Sequence, residues 1–265
     1  MLNREDSSSA VRGSSVSPQT APARPEATVI EPERDYPNGV PLRVVFQPGE
    51  KVTRKIKGKI EVLLDKKQLR KGEKPKATSL LEVVYTSTTH AVKDGIAELE
   101  ISSEPVKVQT DSGEPGYWQA ENSTVKIDEY ARVFSETTNV VRGIHGIGFI
   151  PFPKKRVIPG STWKSVTNRE VPLLGLMRVT EKYTYKGIQE ANGKKTWRID
   201  LLVQDSAKRF GSTGSYFFDT ENGQLVEAAV TMRFEGDIET PTGQKRHAKV
   251  IFFVRVEPFD ENTAE

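Results

Sequence analysis

The stretch Gly223–Ile238, GQLVEAAVTMRFEGDI, puts Val226, Ala228, Val230, Met232 and Phe234 at alternate positions, with Glu227, Thr231, Arg233 and Glu235 between them. Successive side chains of an extended chain point to opposite faces, so this period of two predicts an antiparallel strand with one face buried and one wet. The segment after it, His247–Glu257, HAKVIFFVRVE, repeats the pattern with Ala248, Val250, Phe252, Val254 and Val256. Its other face carries Ile251 and Phe253, which predicts that this face also meets something.

Working outward, Asn-Gly and Asp-Gly pairs punctuate the chain at Asn192–Gly193, Asn222–Gly223 and Asp94–Gly95. These are the residues that tolerate the positive φ of a tight hairpin. Strand-like runs at 173–188, 195–205, 212–220, 224–238 and 245–257 are therefore expected to form a meander, one antiparallel sheet in sequence order. The front half supplies further long runs at 41–47, 50–65, 77–92 and 95–109. Only 127–141, IDEYARVFSETTNVV, departs from period two: Ile127, Tyr130, Ala131 and Phe134 fall at helical spacing and predict a short helix. Long twisted strands with one apolar face must curl, close or be covered. The expected fold class is mainly β: a long curved antiparallel sheet or half-barrel meander, with one short helix or loop across its concave face.

The segment Phe152–Ser165, FPKKRVIPGSTWKS, separates the front strands from the carboxyl meander. Pro153 and Pro159 hold the residues before them extended, and Gly160 supplies a turn into the strand that carries Trp163. Trp163 reads as a core anchor, with an exposed binding platform as the alternative.

Residues 1–40 are rich in Ser, Pro, Ala and charge and have no apolar period, so they read as a disordered tether before a β domain at 41–258, with 259–265 as a disordered tail. The tether has no continuous apolar core of the kind a secretory signal carries, and no run of the chain approaches the roughly 18 apolar residues of a membrane-spanning helix. The chain of 265 residues has no cysteine, which removes disulfides, thiolate metal sites and thiol nucleophiles. A thiol-free chain suits an oxidising compartment, and a Ser/Pro-rich front is what a spacer from a membrane needs.

Chemistry-bearing motifs are few. Arg142–Pro153, RGIHGIGFIPFP, flanks His145 with glycines, and Ile144, His145, Ile147, Phe149 and Phe152 are the candidate ligand-binding residues, as a lid over an apolar cavity. Its glycines do not have dinucleotide or phosphate-loop spacing. The histidines His90, His145 and His247 lie far apart with no carboxylates at ligand spacing, so no metal is expected. Gly211–Ser215 is not a nucleophile elbow, and DTENGQ from Asp219 lacks the twelfth-position carboxylate of a calcium loop, Val230 standing there. No catalytic residue and no cofactor are expected.

Net charge is only +3, yet Lys51–Lys76 holds eleven bases against three acids. That region reads as a solvated edge that discourages strand addition, or as a weak, salt-sensitive attraction to anionic surfaces. It contains no Phe, Tyr or Trp for base stacking, so no sequence-specific nucleic-acid binding is expected.

One order of motifs carries a resemblance: Val157, Pro159, Gly160, Ser161 and Trp163; then Tyr183, Tyr185 and Gly187; Asn192 and Gly193; and finally Gly214, Phe218, Asp219, Gly223 and Leu225. Together with Pro48 and Gly49 in LRVVFQPGEKV, this resembles a bacterial family of extracytoplasmic β-rich proteins, often lipoproteins, of unknown function. The resemblance spans about Leu42 to Glu257 and implies a curved antiparallel sheet, no catalytic residues, and a periplasmic or other extracytoplasmic setting; the Ser/Pro-rich front segment is expected to serve as the membrane tether. The expected function is non-enzymatic binding or scaffolding at the envelope, with an envelope component as partner; the alternative is a carrier of an apolar ligand or lipid in the concave face.

Overall fold

The computed structural model describes residues 28–65, 69, 76–110, 116–118, 122–138, 149–171, 175–204, 209–239 and 245–259. Fourteen strands are present among these residues and no helix. They run β1 (Thr28–Ile30), β2 (Lys51–Leu64), β3 (Lys76–Lys93), β4 (Ile96–Ser103), β5 (Val106–Thr110), β6 (Gly116–Trp118), β7 (Asn122–Asp128), β8 (Val133–Thr138), β9 (Thr162–Val171), β10 (Gly175–Ala191), β11 (Lys194–Gln204), β12 (Phe210–Asp219), β13 (Leu225–Glu239) and β14 (Lys245–Pro258).

The expected five-strand meander is present as β10-β11-β12-β13-β14 in sequence order, and β9 extends it at the front, every pair antiparallel. What periodicity could not reveal is the next neighbour: β14 pairs with β2 from Ala248↔Leu64 to Pro258↔Arg54. This joins the carboxyl meander to β2-β3-β4-β7-β8, giving one large antiparallel sheet that does not close on itself. The front run at 95–109 is split into β4 and β5 around Glu104–Pro105, and both pieces pair with β3. Proline has no N–H for the ladder, so the strand breaks there.

Two of the three hairpin pairs adopt the expected geometry, with positive φ at both Asp94–Gly95 and Asn192–Gly193. At the third only Gly223 is left-handed, and the turn is wider. Over 127–138, the described part of the stretch 127–141, the expected helix is not formed. Asp128 ends β7 and its Oδ1 accepts the N–H groups of Tyr130 and Arg132, Ala131 takes a positive φ of 55°, and the chain returns as β8. A carboxylate that captures two backbone donors in a turn competes directly with the helical ladder. The spacing of Ile127 and Ala131 instead reports that both are buried against the same small cluster.

The inner face is covered by two irregular segments, 31–50 and 149–161, which run beside each other through the Val40–Val157 bridge. Leu42, Ile150, Phe152 and Val157 are at most 2% exposed and pack with Ile56, Tyr183, Ile199, Phe218 and Val256 from the strands. The loop alternative for the cover is thus the one realised. The tether boundary drawn at residue 40 falls inside the described fold: Thr28–Ile30 pairs with β9, and the Glu31 carboxylate accepts the N–H of Lys154 at 2.9 Å. Residues 1–27 and 260–265, the rest of the expected tether and tail, lie outside the described residues.

The FPKKRVIPGSTWKS corner is built by backbone bonds to β10. Gly160 N–H donates to the Tyr185 carbonyl at 2.8 Å, and Tyr185 N–H donates to that of Ser161 at 3.0 Å. Pro159 lies against Gly187, which sits at a bulge with φ 103° where a Cβ would meet the Pro159 ring at 3.4 Å. The Pro-Gly-Ser-x-Trp and Tyr-x-Tyr-x-Gly motifs are therefore two halves of one structural joint.

Candidate functional site

Of the five residues singled out in the sequence, Ile144, His145 and Ile147 lie outside the described residues. Phe149 is half-buried and packs with Val44, Phe46, Tyr85 and Val133 against Leu99, Ile101 and Ile127. Phe152 is completely buried, its ring edge-on to Phe218 with centroids 5.0 Å apart, so it fills the interior. Among the described residues a cavity of about 50 Å³ lies beneath the crossing segments, lined by Phe46, Tyr85, Leu99, Ile101, Phe149 and Phe218, among others.

This apolar space adjoins a polar cleft of about 200 Å³, and the two share Val52, Arg54, Gln224 and Leu225. The cleft lies between the start of β2, the end of β14 and the β12–β13 turn, and its lining includes Glu50, Lys194, Asp219, Asn222 and Pro258. It exists because the β13–β14 ladder begins only at Ala228↔Val256, leaving Leu225–Glu227 without a partner strand on that side. The Arg54 side chain spans the gap, and its Nε donates to the Leu225 carbonyl at 3.0 Å. Across the ladder from Arg54 stands Tyr85, whose hydroxyl burial pushes well above the ordinary tyrosine range while the Arg54 guanidinium pulls it partly back.

Asp219 organises the turn. Its Oδ1 accepts the Glu221 N–H and its Oδ2 the Lys194 ammonium, both at 2.9 Å. Burial works to raise its pKa, but these donors outweigh it and hold the carboxyl below the ordinary aspartate value of 3.8. A carboxylate with a depressed pKa stabilises the fold above its unfolded pKa and loses that contribution as pH falls through the lower folded value. The stability gap between the parent and Asp219→Asn should therefore be largest near pH 6 and shrink below about pH 3.8. Urea unfolding of both proteins across that range would measure it, and a gap independent of pH would refute the assignment.

A second polar group lies on the inner face. Glu181 is 2% exposed and accepts the Tyr183 hydroxyl at 2.7 Å; opposite it on β9 stands Ser165. Ser165 Oγ and Thr167 Oγ1 are screened from solvent without a hydrogen bond. Sequence reasoning passed over both Glu181 and Arg54, although each has a parity signal. Glu181 shares its face with Val179, Tyr183 and Tyr185, and Arg54 shares its own with Ile56 and Ile60.

The outer face is neutralised strand by strand. Lys55 pairs with Glu82 at 2.7 Å, Lys59 and Lys76 share Glu61 at 2.6 and 2.9 Å, and Lys57 pairs with Glu257. On this face lie Ile251 and Phe253, the residues expected to meet something; Ile251 is half-buried and Phe253 is 39% exposed. His90 pairs with Glu100 and His247 with Asp237, both exposed, and no group of three potential metal ligands occurs among the described residues. No protein-family model and no curated protein matches this sequence.

Proposed function

We propose that the protein is a non-enzymatic binding or scaffolding β protein of the bacterial envelope, held there through its front segment. The observation that supports this most is the cover of the sheet: among the described residues, two chain segments pack their own side chains against its inner face, Leu42, Ile150, Phe152 and Val157 among them. The motif residues that carry the family resemblance serve corners, hairpins and packing, as a scaffold requires. A carrier of a lipid or other apolar ligand needs roughly 300–1,000 Å³ of pocket, whereas the apolar cavity described above, among the described residues, holds about 50 Å³.

Attraction to anionic surfaces through Lys51–Lys76 is part of the same proposal, weak because Lys55, Lys57, Lys59 and Lys76 already face carboxylates. The bases at 66, 67, 70, 71 and 74 lie outside the described residues.

Native mass spectrometry of protein purified from its host without detergent tests the reading. The expected spectrum shows the polypeptide mass without a bound lipid, and the protein is expected in the envelope fraction of the same cells. A stoichiometric lipid adduct would transfer the case to the carrier, and recovery in the cytosolic fraction would refute the envelope setting.

A further inference from the structure

The chain contains three Asn-Gly pairs, Asn38–Gly39, Asn192–Gly193 and Asn222–Gly223, and the fold treats them unequally. At Asn222 the pair is held on several sides. Gly223 N–H donates to the Asp219 carbonyl at 2.8 Å, Asn222 Oδ1 accepts Gln224 N–H at 2.9 Å, and the Arg43 carbonyl crowds the glycine. Gly39 is buried; its N–H donates to the Tyr36 carbonyl at 2.7 Å, and its own carbonyl accepts the Arg156 guanidinium at 3.4 Å. Asn192 and Gly193 are both exposed, at the tip of the β10–β11 hairpin. Gly193 N–H donates to no group among the described residues, and Asn192 Nδ2 donates to Glu227 Oε2 at 3.0 Å.

The backbone nitrogen that follows an asparagine can attack the side-chain Cγ, and glycine, lacking a Cβ, gives that nitrogen the most open approach. The attack needs a nitrogen not committed to a carbonyl and a backbone able to swing it onto Cγ. A turn whose N–H is bonded and whose glycine is packed must first open locally, whereas an exposed hairpin tip reaches the same geometry at lower cost. We infer that Asn192 is a site of spontaneous deamidation in the folded protein, and that the fold protects Asn38 and Asn222 from the same reaction. The Gly193 nitrogen gives up its proton and bonds to Asn192 Cγ, the Cγ–Nδ2 bond breaks, and ammonia departs from a cyclic succinimide. Solvent water then adds to one of the two ring carbonyls and breaks its C–N bond, leaving a carboxylate and a released proton. Opening at Cγ gives an aspartyl residue; opening at the backbone carbonyl gives an isoaspartyl residue, whose main chain runs through the side-chain methylene. Either product places a carboxylate where Nδ2 had donated to Glu227, so an attraction becomes a repulsion. The isoaspartyl form also lengthens the main chain of a two-residue turn closed by the Ala191↔Lys194 pair. The site stands on the three turns alone and does not depend on the envelope reading.

Peptide mapping by mass spectrometry during incubation of the full chain in warm, mildly alkaline buffer tests it, with urea-unfolded protein in the same buffer setting the unprotected rate of each pair. The mass gain of replacing NH2 by OH is read at each asparagine. Rates are taken from early time points, at which circular dichroism shows the native sample still folded. Relative to its own unfolded rate, conversion at Asn192 is expected to be at least about tenfold faster than at Asn38 or Asn222. Protection of Asn192 equal to that of the other two, or earlier conversion at either of them, would overturn the assignment.

Discussion

Gly223→Ala should lower stability by about 2–5 kcal/mol, combining a left-handed backbone penalty of about 1–2 kcal/mol with an overpacking cost of about 1–3 kcal/mol. Gly223 has φ 68°, and a Cβ built on it would stand 1.8 Å from the Arg43 carbonyl oxygen and 2.7 Å from the carbonyl carbon. Backbone cannot rotate away as a flexible side chain can, so the 42–46 segment would have to move. That segment is held by Val45 N–H to the Asn222 carbonyl at 2.8 Å and Val44 N–H to that of Glu129 at 2.7 Å, and it carries the buried Leu42. Gly49→Ala is the matched control: its φ is 83°, but nothing lies within 4 Å of the added Cβ. Urea unfolding of both variants separates the clash from the backbone strain. If Gly223→Ala costs no more than Gly49→Ala, the crossing segment is not pinned at this turn.

Trp163→Ala should cost about 3–5 kcal/mol, the range for deleting a large buried aromatic. Trp163 is 1% exposed, stacks on Tyr183 with ring centroids 5.6 Å apart, and donates its Nε1–H to the Pro151 carbonyl at 2.7 Å. The hydrogen bond ties β9 to the segment crossing above it, so Trp163→Phe should still lose about 0.5–1.5 kcal/mol with most of the packing kept. Denaturant unfolding monitored by circular dichroism measures both. A loss under about 1 kcal/mol for Trp163→Ala would mean that the ring is accessible after all and would restore the binding-platform alternative.

The polar cleft was invisible to motif reading for a definable reason. Glu50, Arg54, Lys194 and Asp219 come from three separate parts of the chain and meet only where Leu225–Glu227 lacks a strand neighbour. Arg54 and Glu181 were nevertheless marked by parity, each being a charge at a position whose alternate neighbours are apolar. A charged residue in phase with a buried face must find partners inside the fold, and both do.

By itself the sequence determined most of the long strands and their wet and dry faces, because a period of two is a local consequence of extended geometry; the run expected at 41–47 is instead irregular chain across the inner face, where Leu42 is buried in the core. The sequence also determined the order of the carboxyl meander, since short turns leave consecutive strands little choice of neighbour. Helical spacing at Ile127 and Ala131 misled because spacing records shared burial, whereas the Asp128 turn decides the local backbone. The β14–β2 pairing, the two segments lying across the inner face and the bond from Arg54 to the Leu225 carbonyl were decided only in three dimensions. Pairing between strands about two hundred positions apart depends on which edges remain open and how far the sheet curls, and those are properties of the assembled sheet that no local pattern encodes.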